Sequence, residues 1–393
     1  MADSYYQFVP HTTTVAGQPV TFFGRAALGD LQEHLTSAQL LDESVRLPRD
    51  ARVLCLHCGT GLAGLAAMLR APDGHITLID SHVVATRAAQ RTLDANQIAR
   101  ATVLLGDCAQ PVHGQAFDHV LAHLPKSRAT WQQTVLDAAQ ALGVNGTFYL
   151  AGANKSGIKS AARYMERVFG NVSVLGYRGG CRVLCAVKTA PPPPPPDEAA
   201  DDYYTWRTLQ AEVGGHSITY ATKPGLFAWK QLDQGTRLLL ETLNAHPLQA
   251  DDRVWDIGCG GGPITALAAR QAYRGQVIAT DVDARAVQAT KRTAGANQLQ
   301  NVEVRLSDCA EALEGHTFSA VVTNPPFHQA RATTYAIAEQ IIGDAARLLE
   351  PDGRLYLVAN SFLRYKPMLE QAFGGTQLLA ETRGFKIWHA VKT

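Results

Sequence analysis

The chain has 393 residues, of which 46% are hydrophobic and 18% are charged, a composition typical of globular proteins with full cores. This length predicts two or three domains. No apolar run approaches the roughly 18–20 residues that a membrane-spanning helix requires, and the segment MADSYYQFVP lacks the features of a secretion signal, so we expect a cytoplasmic protein. Seven cysteines, an odd number, favour free thiols over a disulfide framework.

The charge of the chain is nearly balanced but unevenly distributed. The formal net charge is +1, which does not indicate a general affinity for nucleic acid. Residues 1–190 nevertheless carry 17 Lys and Arg against 13 Asp and Glu, and residues 126–188 carry nine basic residues against two acidic ones. A basic surface is therefore expected in the first half of the chain.

A basic stripe is predicted within that half. Four basic residues recur at every fourth position, a spacing that places them on one face of a predicted helix. They are Lys155, Lys159, Arg163 and Arg167. The plain alternative is a solvated helix face. With further basic residues nearby, the stripe becomes a candidate surface for RNA phosphates. These residues are Lys126, Arg128, Arg178 and Arg182.

The clearest domain boundary is the segment 190-APPPPPPDEAADD-202. Its six consecutive prolines favour polyproline II, which makes the segment a semi-rigid spacer. A ligand for proline-binding modules is the alternative. We therefore predict a first domain at 1–189, a linker at 190–202 and a second domain at 203–393.

The two halves repeat each other. Adding 201 to the residue number aligns 53-VLCLHCGTG-61 with 254-VWDIGCGGG-262, and it sets 122-AHLPK-126 opposite 323-TNPPF-327. Beyond that point the offset becomes 207, which leaves six extra residues in the second copy. An offset held over this distance predicts a duplicated domain.

The second copy alternates predicted strands with predicted helices. The strands are 253–258, 276–281, 302–308, 318–324 and 354–360, and the helices are 263–271, 283–297 and 333–349. Strands separated by helices of this length are typical of a parallel sheet. The predicted fold class is therefore α/β: two tandem Rossmann-like domains, each a mostly parallel sheet with helices on both faces.

Four polar residues fall at or near the carboxyl ends of these strands, where ligands bind in such sheets. They are Asp256, Asp281, Asp308 and Asn324. A lone Asp after a strand is usually a helix cap or a turn former. The placement of three of them beside a glycine-rich loop predicts a ligand site instead.

The glycine-rich loop is 256-DIGCGGG-262, with Gly258, Gly260 and Gly262 between a predicted strand and a predicted helix. Glycines allow a backbone to turn sharply and to approach a ligand closely. Taken alone, the motif is compatible with a dinucleotide site, a structural turn or a methyl-donor site. The third glycine comes too early for a dinucleotide fingerprint, and Asp256 would repel a pyrophosphate.

An acidic loop suits a cofactor that carries an ammonium and a sulfonium, so we predict that S-adenosylmethionine binds here. Asp281 is positioned to accept hydrogen bonds from a ribose diol. Asp308 is positioned to accept one from an adenine amino group. Asp256 supplies negative charge in the loop itself, and Asn324 is predicted to contact the cofactor as well as the target base.

The segment 322-VTNPPFHQA-330 predicts the chemistry. The side-chain oxygen of Asn324 and the carbonyl of Pro325 are two acceptors for the hydrogens of a planar amine, held in place by the restricted proline backbone. Phe327 can stack on a base that has left its helix. A simple turn is the alternative explanation. The pattern predicts methyl transfer to a weakly nucleophilic amine without a metal or a covalent nucleophile.

The second half also contains 224-PGLFAWKQLDQGTRLLLE-241, 353-GRLYLVANSFLRY-365 and 384-GFKIWHA-390. With DIGCGGG and TNPPFH, these segments resemble the ribosomal RNA small subunit methyltransferase C family, and the large subunit methyltransferase G family is similar too. The resemblance implies two tandem class I methyltransferase domains that make N2-methylguanosine. It implies cofactor binding at Gly258, Gly260, Asp281 and Asp308, and target-base handling at Asn324, Pro325, Pro326 and Phe327. The hexaproline linker departs from the family.

The first copy is predicted to have lost its chemistry. Cys55 stands where Asp256 aligns, His57 stands where Gly258 aligns, and 123-HLPK-126 replaces NPPF. A histidine side chain at a position that must admit a cofactor is a steric obstacle. We therefore expect the first domain neither to bind S-adenosylmethionine well nor to catalyse, and to serve in substrate docking.

Cys55 and Cys58 form a CxxC pair, which could indicate zinc or a redox function. Cys58 is, however, the repeat partner of Cys259, and Cys108 is the repeat partner of Cys309. The cysteines are therefore interpreted as loop and core residues, and no metal is expected.

The expected function is an S-adenosylmethionine-dependent rRNA guanine-N2 methyltransferase acting on small-subunit rRNA, free or in an assembled subunit, with a monomer favoured. Large-subunit rRNA is the alternative substrate. Transfer to an adenine amino group or to a protein glutamine amide are rival reactions. A non-catalytic RNA-binding or ribosome assembly factor is a rival of a different class, which the intact loop of the second copy disfavours.

Overall fold

The computed structural model describes residues 3–29, 31–191, 203–326 and 331–393. The chain forms two compact units. The N-terminal unit is Gln7–Tyr203, and the C-terminal unit is Tyr204–Thr393 together with Met1–Tyr6.

The division differs from the predicted one in the first six residues, which the sequence placed in the first domain, and at Tyr203, which it placed in the second. The first six residues group with the C-terminal unit because Tyr5 donates a hydrogen bond to Asp308 and Tyr6 accepts one from the Ala310 backbone. Nearly all of the predicted linker, 190–202, lies outside the described residues. Its role as a spacer therefore stays a prediction.

The first part of the chain alternates strands and helices after a hairpin of two strands. Its elements are, in order, α1 (Asp3–Tyr6), β1 (Val9–Val15), β2 (Gln18–Gly24), α2 (Leu31–Ser44), β3 (Arg52–Leu56), α3 (Leu62–Arg70), β4 (His75–Asp80), α4 (Val83–Ala95), β5 (Ala101–Leu105), β6 (Phe117–His123), α5 (Arg128–Ala141), β7 (Leu142–Ala153), α6 (Ile158–Phe169), β8 (Ser173–Arg178) and β9 (Cys181–Val187). Short 3-10 turns lie at Ala26–Leu28, Gln110–Val112 and Asn154–Ser156.

The second part repeats this order. Its elements are β10 (Arg207–Val213), β11 (His216–Thr222), α7 (Gln234–Ala245), β12 (Arg253–Ile257), α8 (Pro263–Gln271), β13 (Gln276–Asp281), α9 (Ala284–Ala296), β14 (Val302–Leu306), β15 (Phe318–Thr323), α10 (Arg331–Leu348), β16 (Leu349–Asn360), α11 (Lys366–Phe373), β17 (Gln377–Glu381) and β18 (Phe385–Val391). The strands and helices predicted for the second copy are all present, close to their predicted bounds, except that β16 begins earlier than predicted, at Leu349. None of the helices in the described ranges is long and apolar enough to span a bilayer.

Each unit is built on a seven-stranded sheet with the same strand order. The order is β5-β4-β3-β6-β7-β9-β8 in the N-terminal unit and β14-β13-β12-β15-β16-β18-β17 in the C-terminal unit. The first five strands of each order pair in parallel, and the last two pair antiparallel. The predicted fold class, two tandem class I methyltransferase domains, is confirmed.

The parallel strands are buried because helices cover both faces of each sheet. In β12, Val254 and Trp255 are fully buried, and the Trp255 indole donates a 2.9 Å hydrogen bond to the Thr280 hydroxyl on the neighbouring strand. A near-continuous apolar strand is what a doubly covered parallel sheet requires. The order of the strands reverses between β12 and β15, which makes their carboxyl ends the place where a ligand can enter.

Candidate functional site

The glycine-rich loop leaves β12 and leads into α8 with three glycines in the left-handed region. Their φ angles are 75° at Gly258, 56° at Gly260 and 83° at Gly262. A Cβ added at Gly258 or Gly260 would meet no other atom within 4 Å, whereas one at Gly262 would lie 3.0 Å from the Thr290 hydroxyl. Gly262 therefore allows packing against α9, and the first two glycines border open space that a ligand can approach.

Asp281, the last residue of β13, holds this loop in place. One carboxylate oxygen accepts a 3.0 Å hydrogen bond from the Gly260 backbone, and the other accepts a 3.0 Å bond from the backbone of Asp283. Burial, reinforced by the charge of Asp283, raises the pKa of Asp281 to about 6. Each carboxylate oxygen has more than one lone pair, so these bonds leave acceptor capacity for a ribose diol.

Asp256 lies on β12 beneath the loop and is fully buried. One of its carboxylate oxygens accepts a hydrogen bond from the Thr265 hydroxyl, while Oδ1 has no hydrogen-bond partner among the described residues. Burial raises the pKa of Asp256 to about 7. A buried acceptor without a donor is costly. Together with the open space at the glycines, this oxygen fits a cofactor that brings an ammonium group, as S-adenosylmethionine does.

Asp308 follows β14 and is also buried. The hydroxyl of Tyr5 donates a 3.0 Å hydrogen bond to its Oδ1. Sequence reasoning missed Tyr5, although a signal was present: the segments 3-DSYY-6 and 201-DDYY-204 precede the two copies in the same way.

Asn324 follows β15 and is held by the start of α7. Its amide nitrogen donates to the Thr236 hydroxyl over 2.8 Å and to an Asp233 carboxylate oxygen over 3.3 Å. A carboxylate can only accept, so the nitrogen must face α7 and Oδ1 must face away from it. Asp233 also caps α7 by accepting from the Thr236 backbone. Sequence reasoning missed both residues, although Asp and Thr at this spacing form a helix-capping pattern.

The two prolines after Asn324 differ in exposure: Pro325 is buried and Pro326 is exposed. Pro325 therefore anchors the segment, with its φ restricted by the ring. Phe327 lies outside the described residues, so base stacking by its ring stays a prediction.

The sheet brings the predicted site residues together. The adjacent strands β14, β13, β12 and β15 deliver Asp308, Asp281, the glycine-rich loop and Asn324, in this order, to one edge of the C-terminal unit. The edge thus presents three carboxylates beside open space, followed by an amide oxygen held in a fixed direction.

Comparisons with known proteins identify the family of this chain. A family model of the methyltransferase small domain matches residues 34–185 and 217–389. The ribosomal RNA small subunit methyltransferase C of Marinomonas sp. (strain MWYL1) is 36% identical over 284 residues, which cover 70% of this chain and 78% of that protein. The protein of the same name from Chromohalobacter salexigens is 37% identical over 301 residues, covering 72% and 83%.

A solved structure matches the whole chain. The T. thermophilus 16S rRNA N2 G1207 methyltransferase, in complex with AdoMet and guanosine, has a TM-score of 0.82 and 28% identity, with 100% of both chains covered. The present chain belongs to the ribosomal RNA small subunit methyltransferase C family. The resemblance noted from the sequence is thereby confirmed, together with an S-adenosylmethionine-dependent methyltransferase activity.

Within this family member, the N-terminal unit retains the scaffold of the site. Asp80 accepts a 3.1 Å hydrogen bond from the Gly59 backbone, as Asp281 does from Gly260. His57 has a φ of 53°, in the same region as Gly258, and its ring lies 2.8 Å from the Thr134 hydroxyl. An imidazole therefore extends from the position that borders open space in the C-terminal unit.

Two further positions of the N-terminal unit have changed chemistry. Cys55, at the position of Asp256, is fully buried, and burial raises the pKa of its thiol to about 12. His123, at the position of Asn324, lies beside the ring of His34 with 5.4 Å between centroids, and burial lowers its pKa to about 3. Neither residue offers the charge or the fixed amide of its counterpart.

The predicted basic stripe is only partly helical. Lys159, Arg163 and Arg167 lie on the exposed face of α6, but Lys155 belongs to the 3-10 turn before it and forms a 3.0 Å ion pair with Glu33. The helix starts later than predicted because Gly157 adopts a φ of 96° at its N-cap. Lys126 and Arg128 are exposed, Arg178 pairs with Glu43, and Arg182 lies over the Tyr177 ring.

Gly258→His would place in the C-terminal unit the residue that occupies the equivalent position of the N-terminal unit. Because His57 shows that histidine tolerates this backbone, the fold should persist with a cost of about 1–2 kcal/mol. The imidazole should fill the open space and weaken S-adenosylmethionine binding about 100-fold, measured by isothermal titration calorimetry. His57→Gly is the matched control, expected to leave binding unchanged. An unaltered dissociation constant in Gly258→His would show that the cofactor binds elsewhere.

Proposed function

We propose that the C-terminal unit transfers a methyl group from S-adenosylmethionine to N2 of a guanosine in small-subunit rRNA. The observation that carries this proposal is the fixed amide of Asn324. Its nitrogen is held by Thr236 and Asp233, so its oxygen is available as an acceptor at the strand end beside the glycine-rich loop. The family relationship and the guanosine in the T. thermophilus complex support guanine as the target base.

The exocyclic nitrogen of guanine is a poor nucleophile because its lone pair is conjugated with the ring. When bound, S-adenosylmethionine supplies an electrophilic methyl group on a sulfonium that leaves readily. The oxygen of Asn324 and the carbonyl of Pro325 can accept the two N–H hydrogens of the amine. As the bond from nitrogen to the methyl group forms, the bond from sulfur to the methyl group breaks and leaves a neutral thioether, and the cationic product then loses one N–H proton to water. The Asn324 amide is held before the substrate arrives, and the proline ring restricts the backbone at Pro325, which reduces the cost of aligning the lone pair with the methyl group.

The carboxylates have separate roles in this proposal. Asp256 would hold the ammonium group of the cofactor, since burial disfavours its charged form, its Oδ1 has no donor among the described residues, and a cation would favour the charged form again. Asp281 would accept hydrogen bonds from the ribose of the bound cofactor, and Asp308 would accept one from its adenine amino group. Gly258, Gly260 and Gly262 would let the loop pass close to the cofactor, and Pro326 and Phe327 are the residues proposed to handle the target base.

We also propose that the N-terminal unit docks rRNA rather than catalysing. Its former cofactor position carries His57, while α6 exposes three basic side chains on one face. Phosphate contacts supply much of the affinity of proteins for nucleic acids. One chain then contains both the docking and the catalytic unit, so a monomer suffices, and the cytoplasm, where rRNA resides, is the expected location.

Asn324→Ala should lower kcat by about 100- to 1000-fold, because one of two preorganised acceptors is lost. Thr236→Val should lower kcat by about tenfold, because the amide loses one of the bonds that fix its direction. Methyl transfer from labelled S-adenosylmethionine to rRNA measures both. Thr242→Val is the matched control on α7, since the Thr242 hydroxyl donates to the Leu238 carbonyl of its own helix. Asn324→Ala with kcat near that of the parent would exclude the proposed mechanism.

Charge reversal of the α6 face, Lys159→Glu with Arg163→Glu and Arg167→Glu, tests the docking role. The affinity for rRNA should fall at least about tenfold, and the salt dependence of binding should weaken by about one unit of slope per lost phosphate contact. Filter binding at several salt concentrations measures both quantities.

The matched control reverses three exposed charges elsewhere on the same unit, at Arg49, Arg52 and Arg100. It carries the same change in net charge. An equal loss of rRNA affinity in the two triple variants would mean that net charge alone causes the effect. That result would count against a docking face on α6.

A further inference from the structure

Two tyrosines of the short helix α1 form hydrogen bonds with the loop that follows β14. Tyr5 donates its hydroxyl hydrogen to Asp308 Oδ1 over 3.0 Å, and the Tyr6 hydroxyl accepts a 3.1 Å hydrogen bond from the Ala310 backbone. Tyr6 also bonds to Asp344. The two tyrosine rings meet edge to face with centroids 5.3 Å apart. Tyr5 and Tyr6 thus form hydrogen bonds with the first and the last residue of the turn Asp308–Ala310, which lies about 300 positions later in the sequence.

Asp308 is the residue that we assign to the adenine amino group, so what fixes its carboxylate bears on cofactor recognition. The terminal torsion of an Asp side chain is broad and has no strong preference of its own. A carboxylate also has about four lone-pair sites, of which the Tyr5 hydroxyl uses one. The Tyr5 bond therefore fixes the direction of the remaining lone pairs without exhausting them.

The same bond occurs in the N-terminal unit. Tyr203, in the repeat of the tyrosine pair, donates a 2.8 Å hydrogen bond to Asp107, the repeat partner of Asp308. Tyr203 groups with the N-terminal unit just as Tyr5 groups with the C-terminal unit. The tyrosine–aspartate bond is therefore a repeated feature of this fold. Among the described residues, the C-terminal unit combines this bond with a glycine-rich loop that borders open space at Gly258 and Gly260, whereas His57 replaces the first of these glycines in the N-terminal unit.

We propose that Tyr5 is a positioning residue for the cofactor: by holding the Asp308 carboxylate, it sets the preference of the site for the exocyclic amino group of adenine. The inference rests on the proposed role of Asp308. Because Tyr5 acts through Asp308, its contribution is confined to ligands that carry the amino group. A purely structural role would affect all ligands of the site alike.

Binding of S-adenosylhomocysteine and of its analogue with hydrogen in place of the adenine amino group, both measured by isothermal titration calorimetry, tests this. The parent protein should prefer the amino form. Tyr5→Phe removes only the hydroxyl and should weaken binding of the amino form about five- to tenfold while changing that of the analogue less than about twofold. Tyr203→Phe, the matched control, should change neither.

Asp308→Asn separates the possible failures. If Asp308→Asn loses the preference and Tyr5→Phe keeps it, the positioning role is overturned and the role of Asp308 stands. If the parent protein binds the amino form and the analogue with equal affinity, and Asp308→Asn does so too, Asp308 does not recognise the adenine amino group. The roles assigned to Asp308 and to Tyr5 then both fail. Equal weakening of both ligands by Tyr5→Phe, or tighter binding of either, would also overturn the inference.

Discussion

The candidate site depends first on the hydrogen bond between the Gly260 backbone and Asp281. This bond ties the loop after one parallel strand to the end of the next strand, and it thereby places the start of α8 at the point where the strand order reverses. Asp80 and Gly59 make the same bond in the N-terminal unit. A backbone scaffold that can receive a ligand is therefore present twice in this chain.

What separates the two units is the side chains placed on that scaffold. At three equivalent positions, a charged acceptor, an open glycine and a fixed amide in the C-terminal unit are replaced by a thiol and two imidazoles. The pairs are Asp256 and Cys55, Gly258 and His57, and Asn324 and His123. Since fold does not determine function, one copy of a duplicated domain can keep its core and lose its catalytic residues. The docking role proposed for the N-terminal unit rests instead on the basic face of α6.

The sequence predicted the fold well because two copies of one pattern carry the same information twice. It also predicted which polar residues meet at the sheet edge, since strand ends in a parallel sheet share one edge. It could not predict contacts that only the tertiary structure creates: the bond from Tyr5 to Asp308 spans 303 positions, and that from Asn324 to Thr236 spans 88. The periodicity of the basic stripe overextended α6 because spacing alone does not reveal the left-handed backbone of Gly157.

Methyl transfer by the C-terminal unit to guanine N2 is tested most directly by incubating the protein with radiolabelled S-adenosylmethionine and rRNA, either free or in assembled subunits. Mass spectrometry of the digested RNA then identifies the modified nucleoside and its position. We predict N2-methylguanosine at a single position of small-subunit rRNA, formed by the parent protein and lost in the Asn324→Ala variant. A label on adenine, on large-subunit rRNA or on protein, or a label that persists in the variant, would contradict this assignment.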